Sequence, residues 1–402
     1  MDNVTQNTVV RQLLSLLPLD VHDRLLHADR YAKKLTINKS ILIFILAQFN
    51  HWQSYIEMEE QIYAHSEIRS ILDLPSISAA QLSRKLSEIP TEILHRLFLH
   101  SVARVQKLTA HKQGISSTIG PLALIDSSKI TLPLVLGDWA KVSRTSSGVK
   151  LHVRLVAASP EVVYPDAVIP STLNVGDRAG AVELVTERAA TYVMDRGYDS
   201  YKNMDNWIGR GIQFVMRMRD RTSTNVVEER EIPPGSPITR DALVNVGSGC
   251  RKMKERVRLV EFYDEQGRFY RLLTSRLDIT AEEVAHIYKC RWLIELFFKW
   301  IKQHLRLKKL HSYKPQAIWN QIYLALIAYV LAQYMQLRLE TKKSVWRVLE
   351  LFRIHMYHPW SQFLNALLRA PTRITSGKPR GAPRKVPELR TSIGIFKTSQ
   401  VT

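Results

Sequence analysis

The pattern of the chain changes near Ser116, where a long segment without glycine gives way to short apolar runs. Residues 1–112 contain no glycine and three prolines, a composition typical of helices. After Ser116, apolar runs such as residues 152–158 alternate with segments of helical periodicity such as residues 200–210. Because strands that alternate with helices build a sheet covered by helices, we predict a mixed α/β fold that follows an all-α N-terminal region.

A third pattern covers residues 221–278, which contain several glycines and prolines and two alternating apolar runs around a turn at residues 264–267. This composition predicts a β-rich insertion. After it, Thr280 is followed three residues later by Glu283, the spacing of a capping box. We therefore predict that one long helix begins at Thr280 and continues through residue 302.

Charge and hydropathy limit the partners of the chain. The 402 residues carry a formal net charge of +20, which favours a polyanionic partner, either nucleic acid or an anionic membrane surface, although a merely basic soluble enzyme is the alternative. The most apolar segment, within residues 318–339, is shorter than the roughly 20 apolar residues of a membrane span, so we predict a buried helix. Two cysteines, without C-x-x-C spacing, indicate neither a disulfide framework nor a zinc site. With no recognisable signal peptide, we expect a cytoplasmic, nucleoid-associated protein without a membrane partner.

Five polar side chains share one face of the predicted helix: Tyr288, Arg291, Glu295, Lys299 and Lys302. At 3.6 residues per turn they fall within about 80° of one another, and the remaining face is apolar. A carboxylate can hold a hard divalent cation, and arginine and lysine can neutralise phosphates beside it. The alternative is an ordinary surface pair between Arg291 and Glu295, which would contribute only a few tenths of a kcal/mol.

Two aspartates, Asp126 and Asp195, each follow a short apolar run that predicts a strand. Either one alone could be a turn or cap residue. Together with Glu295, which the insertion separates from Asp195 along the chain, they could hold two metal ions that activate water and stabilise a leaving 3′ oxygen. The three acids are therefore the predicted catalytic and metal-binding residues.

The helix carries the signature Y-x2-R-x3-E-x6-K without a gap, at Tyr288, Arg291, Glu295 and Lys302. This signature resembles that of the DDE transposases of the IS-four insertion-sequence family. The surroundings of Asp126 (residues 124–128) and of Asp195 (residues 194–198) resemble the first and second aspartates of that family. The resemblance extends from about Ser116 to Leu310, with weaker similarity in the N-terminal region.

The resemblance implies an RNase H-like catalytic core and Mg²⁺ or Mn²⁺ as the cofactor, as two ions. It also implies binding to terminal inverted repeats, cut-and-paste transposition through hairpin ends, and joining of the 3′ OH to target DNA by a homodimer on double-stranded DNA. Tyr288, Arg291, Lys299 and Lys302 are then expected to contact phosphates. In the best understood relatives a tryptophan of the insertion holds a flipped base. Residues 221–287 contain no tryptophan, so Phe262, Tyr263, Phe269 or Tyr270 could stack instead, or the hairpin step differs.

The predicted domains follow from these patterns: a helical N-terminal DNA-binding domain at 1–115, the first part of the catalytic core at 116–220, the insertion at 221–278, the second part of the core with the Glu295 helix at 279–312, a helical C-terminal region at 313–370, and a basic flexible tail at 371–402. In the first domain, a helix capped by Ser78 could present Gln81, Arg84 and Lys85 to DNA, or be a solvated surface helix. The tail could contact phosphates or only aid solubility.

Two other functions remain compatible with the sequence. One is a catalytically inactive DNA-binding protein derived from a transposase, and the other is a nuclease or resolvase that cuts DNA but does not join it. Metal-dependent cleavage separates the first alternative from an active transposase, and strand transfer separates the second.

Overall fold

The computed structural model describes residues 7–17, 29–30, 32–135, 137–186, 188–304 and 310–369. The predicted basic tail at 371–402 lies outside these ranges. Within them, the elements before residue 122 are helices α1–α6: Val9–Ser15, Ile37–Asn50, Tyr55–Ala64, Ser66–Leu72, Ala79–Glu88 and Thr91–Thr109. Ser78 caps α5 through a capping box with Gln81, so the predicted N-cap is confirmed. The apolar run at residues 41–46 is almost entirely buried in α2.

Three helices complete the C-terminal region: α11 (Pro315–Arg338), α12 (Val345–His355) and α13 (Trp360–Leu368). Almost all of α11 is buried because it packs against α2, α5 and α6. The Asn320 side-chain amide donates to the carbonyls of Leu86 and Ile89, both at 2.7 Å, which fixes α11 to the end of α5. The predicted buried helix is therefore confirmed, and no described helix is long and apolar enough to cross a membrane.

A central sheet follows α6 and has eleven strands in the described ranges. The strands are β1 (Leu122–Thr131), β2 (Lys141–Ser143), β3 (Ser146–Ser159), β4 (Val162–Thr172), β5 (Thr191–Met194), β6 (Phe214–Arg217), β7 (Thr224–Glu229), β8 (Ile238–Ser248), β9 (Arg251–Lys252), β10 (Val257–Tyr263) and β11 (Phe269–Thr274). β3 pairs antiparallel with β1 and β4, whereas β1, β5 and β6 run parallel. Helices α7 (Asp177–Leu184) and α8 (Tyr201–Gly209) connect these strands, which confirms the mixed α/β class.

The strands of the predicted insertion continue this same sheet. Leu272, Leu273 and Thr274 of β11 pair antiparallel with β6, and β10, β8 and β7 follow in order. Within these strands, the buried guanidinium of Arg258 on β10 donates to both carboxylate oxygens of Asp241 on β8, at 2.8 and 2.7 Å, and to the carbonyls of Arg276 and Ile279. The β-rich segment is thereby tied to the chain that leads into the next helix.

The prediction of one continuous helix after Thr280 is wrong. The structure has two helices, α9 (Ala281–Lys289) and α10 (Trp292–His304), although Thr280 and Glu283 form the predicted capping box. Between the two helices, the Arg291 and Leu293 N–H groups donate to the carbonyls three residues earlier, at 3.0 Å each. Such tighter turns interrupt the α-helical bonding pattern, but Arg291 still lies over the Tyr288 ring, 5.7 Å from its centroid, and bonds Glu295.

Candidate active site

Asp126 on β1 lies level with Asp195, which directly follows the neighbouring strand β5. The parallel pairing of β1 with β5 ends at Ile125 and Met194, so the two aspartates occupy the next register position. Asp126 does not end its strand as predicted, because β1 continues to Thr131 in antiparallel pairing with β3. The parallel partner β5 ends at Met194, whereas the antiparallel partner β3 continues beside β1. The Asp126 side chain therefore lies at the edge of the sheet where the parallel strands end.

Helix α9 brings Tyr288 to this edge. Its phenol donates to Asp195 Oδ1 at 3.0 Å, and its ring lies 5.8 Å from the ring of Tyr270 on β11. Burial and the nearby Asp195 carboxylate raise the pKa of the Tyr288 phenol, so it stays protonated as the donor. The second aspartate is therefore oriented by Tyr288, for which the sequence had predicted a contact with phosphate instead.

Helix α10 packs against β1 and carries Glu295, the third acid. The Arg291 guanidinium donates to Glu295 Oε1 at 2.6 Å and lies 3.8 Å from Asp126 Oδ2. The i,i+4 pair of Arg291 and Glu295 is thus present, but it is half-buried, and Arg291 also lies close to the first aspartate. Arg291 links two of the three acids, so in this arrangement its charge faces carboxylates.

The pKa of Asp126 reflects both its burial and the neighbouring carboxylates. Burial raises the pKa of its carboxyl to about 6, the backbone N–H of Ser127 and the Arg291 guanidinium oppose the shift, and Glu295 and Asp195 add to it. The Ser127 N–H donates to Asp126 Oδ1 at 2.8 Å. A carboxylate whose pKa is raised by burial and like charges is stabilised by any cation placed beside it.

The three acids offer only carboxylate oxygens, the ligands that hard divalent cations prefer. In the part of the chain that the structure describes, no three His, Cys, Asp or Glu side chains are already spaced to hold a metal ion. The Arg291–Glu295 bond holds the third carboxylate on the guanidinium. The donor set therefore fits a divalent metal in chemistry, and the three carboxylates would have to move closer together to share one ion.

The other predicted site residues are placed differently. Lys299 is exposed on α10, and Lys302 is half-buried on the same helix. Arg84 is exposed beside a shallow cleft that Lys314 also lines. The prediction that Lys85 faces DNA is wrong, because its side chain is buried and its ammonium lies 3.1 Å from Asp29.

A polar cluster behind Asp126 was missed at the level of sequence. Asp177, at the start of α7, accepts from the Ser127 hydroxyl at 2.8 Å and from the Lys150 ammonium at 3.1 Å, and His152 Nδ1 lies 3.8 Å away. Burial, together with the Asp126 and Asp177 carboxylates, raises the pKa of the nearby Tyr198 hydroxyl, and Ser127 opposes the shift. The signal was the alternation of Lys150 and His152 with apolar residues, which places both side chains on one face of β3.

The mixed α/β sheet thus brings two aspartates level where its parallel strands end, and a glutamate on an adjoining helix faces the same place through Arg291. The chain belongs to the transposase DDE domain family, whose sequence profile matches residues 118–331. It is therefore a DNA transposase, a divalent-metal-dependent enzyme that cuts and joins DNA strands.

Relatives of this chain carry transposase names. The chain is 28% identical over 306 residues to the probable transposase for insertion sequence element IS5377 of Geobacillus stearothermophilus, covering 76% of this chain and 78% of the relative. It is 33% identical over 220 residues to the putative transposase y4zB of Sinorhizobium fredii, covering 52% and 59%. A piggyBac transposase in a synaptic complex with hairpin DNA aligns over 93% of this chain and 84% of its own, at 10% identity and a TM-score of 0.46.

Proposed function

We propose that the chain is an insertion-sequence transposase of the IS-four type that moves its element by cut-and-paste transposition. Asp126, Asp195 and Glu295 are its catalytic carboxylates. The observation that carries this proposal is the level register of Asp126 and Asp195, together with the Arg291 guanidinium that joins Asp126 to Glu295. An RNase H-like core is supported by the strand order β4-β3-β1-β5-β6, in which the last three strands run parallel.

The three carboxylates would hold two Mg²⁺ or Mn²⁺ ions, which supply the activation of water and the stabilisation of the leaving oxygen. Tyr288 fixes the orientation of Asp195. Arg291 donates to Glu295 Oε1, and the N–H groups of its guanidinium that this bond does not use would be available to a phosphate oxygen. Lys299 and Lys302 extend the positive charge along α10 towards the same DNA strand.

Of the four aromatic candidates for stacking a displaced base, Tyr263 and Phe269 are more accessible than Phe262 and Tyr270. Phe262 and Tyr270 stack on each other with ring centroids 5.3 Å apart, and Tyr270 also contacts Tyr288. Tyr263 and Phe269 lie at the tip of the β10–β11 hairpin and are 54% and 38% exposed. A base can stack only on an accessible ring face, so we assign the hairpin step to Tyr263 and Phe269.

The N-terminal helices are proposed to bind the terminal inverted repeats as part of a homodimer on DNA. Arg84 supports this assignment, because it is exposed on a well-capped helix of the N-terminal region. Lys85 does not take part, since its charge is used inside the protein by Asp29.

The test is cleavage and joining of labelled DNA that carries the ends of the element, with Mg²⁺ or Mn²⁺. Asp126→Asn, Asp195→Asn and Glu295→Gln should each abolish cutting while leaving DNA binding intact. Glu350→Gln is the matched control, because Glu350 forms an exposed ion pair with Arg347 on α12.

Normal cutting by Glu295→Gln would overturn the assignment of the site. Binding without metal-dependent cleavage by the unmodified chain would identify an inactive derivative, and cleavage without joining would identify a nuclease.

A further inference from the structure

Two exposed arginines share one carboxylate close to the catalytic acids. Arg178 Nη2 donates to Asp199 Oδ1 at 2.5 Å, and Arg219 Nε lies 3.0 Å from Asp199 Oδ2. The arginine side chains are 54% and 58% exposed, whereas that of Asp199 is 16% exposed. The Asp199 carboxylate is thus largely buried, whereas both guanidiniums face solvent.

The three residues come from three separate elements at one edge of the sheet. Asp199 lies four residues after Asp195, beyond the short 3₁₀ turn Arg196–Tyr198. Arg219 follows β6, which is parallel to β5, so both segments leave the sheet at the same edge. Arg178 follows Asp177, the residue that accepts from Ser127 beside Asp126. The arginine pair therefore lies at the same edge of the sheet as the two catalytic aspartates.

The charges of this group do not cancel. Two guanidiniums face one carboxylate, which leaves one net positive charge on two exposed groups. A guanidinium has five N–H donors, and the contacts with Asp199 occupy few of them. A planar fork that is already fixed loses less side-chain entropy when it binds a phosphate. An exposed ion pair alone contributes little to stability, so fold stability is a weak reason for this arrangement.

We propose that Arg178 and Arg219, held in place by Asp199, bind one backbone phosphate of the DNA near the scissile phosphate. This inference rests on the proposed function, because it takes the element end as the substrate. It concerns binding rather than cutting, so the two can be tested separately.

The first experiment measures the affinity of Arg178→Ala/Arg219→Ala for a fluorescent duplex that carries one element end, in EDTA, between about 50 and 200 mM salt. Loss of one neutralised phosphate should reduce the slope of log K against log salt by about 0.9. Arg347→Ala is the matched control, an exposed arginine paired with Glu350 on α12, and it should leave the slope unchanged.

An unchanged slope in the double variant would overturn the proposal, as would a lower melting temperature with unaltered DNA affinity. Because no metal is present, this result does not depend on whether the three acids cut DNA. Normal cutting by Glu295→Gln with a reduced slope in the arginine variant would refute the catalytic assignment alone.

The second experiment locates the phosphate. Neutral methylphosphonates replace single phosphates on each side of the cleavage position, and one substitution should weaken binding by the unmodified chain but not by the double variant. Asp199→Asn keeps both arginines and removes one negative charge, so it separates positioning from net charge. It should lose the sensitivity to that methylphosphonate, and retained sensitivity would rule out a role for Asp199.

Discussion

The phenol of Tyr288 on α9 donates a hydrogen bond to Oδ1 of Asp195, which follows β5. Tyr288→Phe removes this bond and keeps the ring. A hydrogen bond to a charged group contributes about 1.5–3 kcal/mol, so we expect cutting to slow by roughly ten- to a hundredfold with little change in DNA affinity. Single-turnover cleavage of an element end measures the effect.

Tyr270→Phe is the control for this change, because the Tyr270 ring remains against that of Tyr288. If Tyr288→Phe cut DNA as fast as the unmodified chain, the bond to Asp195 would have no part in catalysis.

Arg291 compensates the negative charge of Glu295 and Asp126. Arg291→Ala leaves both carboxylates without this partner, and we expect the free energy of unfolding in EDTA to fall by about 1–3 kcal/mol. Divalent metal should restore more stability to this variant than to the unmodified chain, because the cation replaces the missing charge. Thermal unfolding with and without Mn²⁺ measures both effects.

The exposed Arg347–Glu350 pair supplies the comparison, and Arg347→Ala should change stability by less than about 1 kcal/mol. Equal losses in the two variants, with no response to metal, would show that Arg291 is an ordinary surface partner.

The raised pKa of Asp126, about 6, makes stability depend on pH in the absence of metal. The protonated carboxyl is favoured in the folded protein, so its stabilising contribution is complete below the unfolded pKa near 4 and is lost as pH rises through about 6. Asp126→Asn cannot ionise. We expect its free energy of unfolding to rise relative to that of the unmodified chain, and the difference between the two should grow by up to about 3 kcal/mol between pH 4 and pH 7.

Denaturant unfolding in EDTA at several pH values measures this difference. Asp138→Asn, at an exposed residue 3.7 Å from Lys141, should show no such trend. An advantage of Asp126→Asn that stays constant across this range would mean that Asp126 ionises normally.

Gly180 allows α7 to lie close to β3. A Cβ at this position would lie 2.6 Å from Nδ1 of the fully buried His152. Gly180→Ala should therefore destabilise the fold by about 1–3 kcal/mol. Gly209→Ala, where a Cβ meets nothing within 4 Å, should be neutral or stabilise by about 0.4–1 kcal/mol. Equal denaturation midpoints for the two variants would contradict the close contact.

Local patterns predicted the parts of the site that depend on short stretches of chain. The apolar runs before Asp126 and Asp195 indicated strands, and parallel pairing of those strands brings the two acids level. Thr280 and Glu283 likewise predicted the start of α9, because a capping box depends only on two residues three positions apart.

Features that depend on distant residues could not be predicted in this way. Helical periodicity continues through Arg291, so the tighter turns that separate α9 from α10 leave no mark in the pattern. Lys85 lies between Leu82 and Leu86 on the buried face of α5, and this position already indicates burial. Its partner Asp29, however, is 56 residues away in the sequence. The polar cluster around Asp177 likewise draws on β1, β3 and α7.

The pairing of β11 with β6 gives the β-rich segment a protective role that is independent of DNA. Deletion of residues 221–278 would leave the backbone N–H and C=O groups along one side of β6 without partners. An uncovered strand of this kind recruits strands from other molecules. A shortened transposase would therefore self-associate through β6 and precipitate, even if its three acids remained correctly placed.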